Sequence, residues 1–195
     1  AGLAALAMAG EALGLCPAVS GYLLIAVGAA FMDRVAEAFV GRPALRAEIL
    51  MLAGSSALTG TGLIMAGAAR LGAPWSALAG WHLAYMGGLG LGVYAVFCIA
   101  GLLHSGQPLG LCRTARLGAV LLVASVALRI APELGIAVPA PMHRLAALAW
   151  AGAFGLWLLA YWPALSTKTA PDSEGTAATS TSRRDQTGEV KEAAE

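Results

Sequence analysis

One uninterrupted apolar stretch limits what this chain can become. Residues 81–109 read WHLAYMGGLGLGVYAVFCIAGLLHSGQPL and contain no Asp, Glu, Lys or Arg. A helix needs about 20 mostly apolar residues to cross the roughly 30 Å hydrocarbon core of a bilayer, and this stretch exceeds that. It carries a histidine near each end, His82 and His104, 22 residues apart. At about 1.5 Å per residue they are separated by roughly 33 Å. At about 100° per residue they fall within roughly 40° of each other around the axis. The pattern predicts one membrane-crossing helix that presents an imidazole on nearly the same side at each surface.

The rest of the chain agrees. It is 58% hydrophobic and 12% charged, with a mean hydropathy of +0.74. Soluble domains carry about 25% charged residues. Apolar runs over about 18–32, 49–69, 77–103, 117–131 and 145–162 each approach or exceed a spanning length. A shorter apolar piece over 1–14 is interrupted by Glu11 and reads as the end of a helix that starts earlier. The expected fold is all-α: a polytopic transmembrane helix bundle over 1–166, with about five full spans plus a partial N-terminal helix. The chain opens on Ala1 inside an apolar run with no basic segment before it, so it reads as part of a larger protein rather than as starting with a signal peptide. Residues 167–195 change abruptly to Ser, Thr, Ala and charged residues and are expected to be a disordered tail.

Basic residues set the expected topology. The segment 33–46 has Arg34, Arg42 and Arg46, the segment 104–116 has Arg113 and Arg116, and the tail begins with Lys168. The alternate connections carry Arg70 on one side and Arg129 and Arg144 on the other. The richer set belongs in the cytoplasm, which places the tail inside and His104 at the cytoplasmic surface. His82, Arg129, His143 and Arg144 then lie toward the outer surface. Trp157, Tyr161 and Trp162 read as an aromatic belt at the water interface. Close helix packing in lipid depends on small residues, offered here by Gly88 with Gly92, Gly62 with Ala66, and Ala151 with Gly155. Cys16, Cys98 and Cys112 lack the spacing of a disulfide framework or a cysteine metal site. A net charge of +1 gives no footprint for nucleic acid.

No P-loop, HExxH or Gly-x-Ser-x-Gly is present, and no span holds paired carboxylates. What remains is histidine and arginine near membrane depth, where such groups are costly and turn toward protein, water or a cofactor. His82 is the first candidate, since a neutral imidazole there can ligate haem iron or copper. The alternative is an interfacial histidine bonded to a backbone carbonyl. His104 ends its helix, where the dipole alone favours an imidazole. The two histidines are too far apart to share one metal ion. Arg129 is placed at a depth similar to His82 and can pair with a haem propionate or another anion, or extend to the interface.

The segment HLAYMGGLGLGVYAVFCIAGLLHSGQPL resembles the NnrS family of bacterial membrane proteins. His82, Gly87, Gly90, His104, Ser105, Gly106, Pro108 and Leu109 fall into its register without gaps. DRVAEAF around Arg34 and Phe39, ALRI at Arg129 and the closing AWAGAFGLWLLAYWPAL fit as well. The chain departs from the family pattern at Glu37, Ile99, Leu103 and Gln107. The resemblance implies that this chain is the C-terminal half of a polytopic protein whose N-terminal helices, or a partner subunit, complete it in the bilayer. It implies haem, with copper as a second candidate cofactor, and a role in the response to nitric oxide. It carries His82 and His104 over as candidate haem or metal ligands, and Arg129 as a matched position of unknown role, beside its candidacy for cofactor binding through a propionate. Two other readings stand beside this one: half of a transporter or channel, and a structural subunit without a cofactor.

Overall fold

The computed structural model describes residues 2–14, 16–38, 45–137, 139 and 141–166. The tail expected after 166 lies outside them. Ala1–Leu165 form one unit, and no strand occurs among the described residues. Among the described residues six helices follow in order: α1 (Gly2–Ala12), α2 (Pro17–Ala38), α3 (Ala47–Arg70), α4 (Ala77–His104), α5 (Arg113–Ile130) and α6 (Met142–Ser166). The chain is therefore an integral membrane protein. Four helices, α2, α3, α4 and α6, are long and apolar enough to cross a bilayer. The fifth full-length helix, α5, is 18 residues long and carries Arg113, Arg116 and Arg129 near its ends.

Boundaries expected from hydropathy are too short at the charged ends. α2 continues through Asp33, Arg34 and Glu37 to Ala38, because these residues are acceptable helix formers and no proline or glycine interrupts them. Pro17 opens this helix in its first turn, where its missing N–H costs nothing.

α3 is the centre of the tightest packing and has a glycine seam on each of two sides. Toward α2, a Cβ on Gly28 would lie 2.5 Å from the Gly60 carbonyl oxygen, and one on Gly67 would lie 2.5 Å from that of Gly21. Toward α4, a Cβ on Gly62 would lie 2.5 Å from the Gly80 oxygen and from the Ala84 nitrogen. Backbones can meet at such distances only without side chains, and dispersion and close contact then hold helices that lipid would otherwise solvate equally well. The expected pairs Gly62 with Ala66 and Gly88 with Gly92 both sit on the α3–α4 seam, Gly88 against Thr59 and Gly92 against Ser55. Gly155, by contrast, faces open space.

α6 packs largely through aromatic rings, with Trp150 and Tyr161 set over glycines of α4. Phe154 meets Tyr94 edge-on at 5.6 Å, and Trp157 meets Phe97 at 5.1 Å. Tyr161 fills the space above Gly101 and is 4% exposed, whereas Trp162 is 61% exposed. Only Trp162 of the expected aromatic belt therefore points outward. Cys98 is buried at this interface with Tyr94, Leu122 and Val126. Large apolar residues such as Val96, Val120, Leu148 and Leu159 are turned outward, as a bundle solvated by acyl chains requires.

Candidate functional site

α4 is not a plain α-helix. Between Ala77–Trp81 and Gly90–His104 it widens into a π-helix over His82–Leu89. This wider winding spends backbone hydrogen bonds differently, and π segments recur at functional sites. Side chains from neighbouring helices reach two of its carbonyls. Ser55 donates to the Gly88 oxygen at 2.8 Å, and Trp150 Nε1 donates to the Met86 oxygen at 3.5 Å. The π segment also changes the angular count that places His82 and His104 on one side. A wider turn advances fewer degrees per residue, so the α-helical phase does not carry across eight such residues.

His82 opens the π segment and points toward the end of α5. There Pro132, which has no N–H to donate, opens a single 3₁₀ turn over Pro132–Leu134, and Gly135 closes it at φ 77°. This turn brings Glu133 back over the last turn of α5. The Glu133 carboxylate then receives two partners. Arg129 NH1 donates to Oε1 at 3.0 Å, one helical turn earlier in the chain. His82 Nδ1 lies 3.1 Å from both carboxylate oxygens. Arg129 NH1 also lies 3.1 Å from His143 Nδ1, at the start of α6. Three segments thus meet through one chain of polar contacts: His82, Glu133, Arg129 and His143.

Donor and acceptor chemistry fixes the roles. A carboxylate only accepts, so His82 donates through Nδ1, and in the neutral ring the lone pair is left on Nε2. A guanidinium only donates, so His143 accepts through Nδ1. The side chains of His82, Arg129 and Glu133 are 22%, 26% and 12% exposed, which leaves the group partly sheltered but open along one edge. An imidazole oriented by a carboxylate through one nitrogen, with the other left bare, is the arrangement that holds metal-ligating histidines.

His82 and Arg129 are therefore brought into one cluster, joined by the same carboxylate. His104 is not part of it; its side chain is exposed at the other end of α4, beside Ser105. Glu133 escaped the sequence reading, although a signal exists. It is the only acidic residue between Glu48 and Asp172, and it follows Arg129 by four positions. Among the described residues, no three of His, Cys, Asp and Glu converge to hold a metal ion.

A separate groove of about 690 Å³ runs between α2 and α4 with α3 as its floor. Trp81 and Tyr85, stacked at 5.6 Å, line it, but His82 turns away from it toward Glu133. Its lining is mostly apolar, and the Ser55 and Thr59 hydroxyls in it donate to backbone carbonyls. The titratable side chains of the candidate site lie in the polar cluster and not in this groove.

A family model described as NnrS protein matches residues 1–168. No curated protein and no solved structure matches the chain.

Proposed function

The chain belongs to the NnrS family, and from that premise we propose that it is a haem-binding protein of the bacterial inner membrane that takes part in the response to nitric oxide. The observation that supports this reading is the His82–Glu133 contact of 3.1 Å, which commits Nδ1 and leaves the Nε2 lone pair available to a metal. A single imidazole of this kind would suit haem iron as one ligand. It does not suit a metal ion held by this chain alone, because three ligating side chains do not converge among the described residues. Copper therefore needs ligands from outside the described residues.

His82 would hold the haem, whose iron would supply the binding chemistry for a small diatomic molecule. The chain's own residues prepare that imidazole. Glu133 fixes the tautomer and orientation of His82. Arg129 holds Glu133 in place through a bond at 3.0 Å. His143 braces Arg129 from α6. Arg129 was expected to face an anionic group, and here the anion beside it is Glu133. A haem propionate at the exposed edge is a second anion within its chemistry. His104 belongs to this reading only as a ligand completed by groups outside the described residues.

The test is a pyridine haemochrome assay on the protein purified from membranes, with His82→Ala beside the parent chain. Haem in the parent and its loss in His82→Ala is the expected result. Equal haem in both, or none in either, rejects the proposal.

A further inference from the structure

At the opposite end of the bundle a second polar site is built from other residues. A pocket of about 380 Å³ opens between the start of α3 and the start of α5. Its size falls at the lower end of the ~300–1,000 Å³ range of small-molecule sites. Arg46, Glu48 and Arg116 line it, with the Leu109–Gly110 backbone between them. Glu48 is only 7% exposed. One of its carboxylate oxygens faces Arg46 Nε at 3.8 Å, and the other is buried with no hydrogen-bond partner among the described residues. Arg46 is also pinned from its other side, where NH2 donates to the Leu109 oxygen at 3.3 Å.

A buried carboxylate oxygen without a donor carries its desolvation cost uncompensated. A native bundle does not leave it so without reason. The terminal torsion of glutamate is soft, so Glu48 can turn either oxygen toward a donor in the pocket. What that donor must be follows from the surroundings. A cation compensates a sheltered carboxylate better than a neutral hydroxyl does. Two guanidiniums a short distance away ask for an anion, and arginine suits phosphate best. Beside these polar groups stand three exposed leucines: Leu45 at 73%, Leu50 at 42% and Leu109 at 44%. Exposed leucines next to arginines at the end of membrane-crossing helices suit acyl chains entering at the headgroup level.

We propose that the Arg46–Glu48–Arg116 pocket binds the headgroup of a phospholipid carrying both a phosphodiester and a primary ammonium, as phosphatidylethanolamine does. The phosphodiester lies between Arg46 and Arg116. The ammonium donates to Glu48 and satisfies its buried oxygen. The acyl chains lie along Leu45, Leu50 and Leu109. This site shares no residue with the His82 cluster and stands or falls separately from the haem proposal.

Native mass spectrometry of the full chain in mild detergent tests it, with phosphatidylethanolamine, phosphatidylcholine and phosphatidylglycerol of identical acyl chains added in turn. A hydrogen bond to a charged group is worth about 1.5–3 kcal/mol, so phosphatidylethanolamine should bind at least ~10-fold more tightly than the other two. Glu48→Gln should erase that preference. Arg116→Gln, at an exposed position that does not threaten folding, should weaken phosphatidylethanolamine binding several-fold even if Glu48→Gln proves unstable. Equal binding of phosphatidylcholine or phosphatidylglycerol overturns the proposal, as does phosphatidylethanolamine binding unchanged in Arg116→Gln. Soluble glycerophosphoethanolamine binding as tightly as the lipid overturns the choice of a membrane ligand.

Discussion

The two ends of α4 start from the same residue type and finish as different environments. At one end His82 meets Glu133 at 3.1 Å, Glu133 meets Arg129 at 3.0 Å, and Arg129 meets His143 at 3.1 Å. At the other end His104 is exposed, while Glu48, Tyr94 and Tyr161 are among the side chains drawn inside. A histidine at a helix end is not in itself a site. It becomes one where the fold supplies a partner that fixes its tautomer and shelters it. The 3₁₀ turn after α5 supplies Glu133 at one end, and no comparable carboxylate reaches His104 among the described residues.

The largest expected effect breaks the comparison outright. His82→Ala should remove haem from the purified protein, while His104→Ala should retain most of it; matched optical spectra decide this. Loss of pigment in both variants would mean that the exposed imidazole is completed from outside the described residues and that the two ends are equivalent.

Glu133 sharpens the contrast. Glu133→Ala leaves Arg129 facing His82 without the carboxylate between them. Removing one partner from a sheltered ion pair costs about 3–5 kcal/mol when the pair is fully buried. With side chains 12% and 26% exposed, about 2–3 kcal/mol is the expected loss here, read as a lower melting temperature in detergent. Glu133→Gln keeps an acceptor for His82 but gives up the charge. It should weaken haem binding by about 10-fold or more, with a smaller effect on melting. Unchanged haem affinity would show that the carboxylate only stabilises the fold.

At the other end a buried hydrogen bond provides the control. Tyr94 donates to the Ala115 oxygen at 2.9 Å within the core. Tyr94→Phe should cost about 1 kcal/mol in stability and leave haem content unchanged. A change in the haem spectrum would mean that the two ends are coupled through α4. The smallest effect is expected from His143→Gln. Its contact with Arg129 is exposed, so about 0.5 kcal/mol or less should be lost. A loss as large as that of Glu133→Ala would make His143 a full member of the cluster.

Much of the architecture was legible in the sequence, because lipid imposes a simple local rule. Long apolar runs without charge must be helices, since no other conformation satisfies the backbone there. The small residues at Gly62, Ala66, Gly88 and Gly92 marked the α3–α4 seam before any contact was known, since close approach demands them. His82 and Arg129 stood out because polar groups at that depth are costly. Tyr161 was misplaced in a belt, because composition at a helix end does not say which way a ring points.

The sequence by itself determined the class of fold, the helices that cross, and the two residues around which the candidate site gathers. The tertiary structure alone decided that those two residues meet, and through which partner. Glu133 lies 51 positions from His82 in the chain and touches it only because α5 ends at Ile130 and Pro132 opens a tight turn. The π segment decided the rest. It alters the winding of α4 between His82 and His104, so the face shared in the helical count is not the face each presents in the bundle. Hydropathy is a property of short windows, whereas the meeting of a carboxylate with an imidazole depends on how separate helices close on one another.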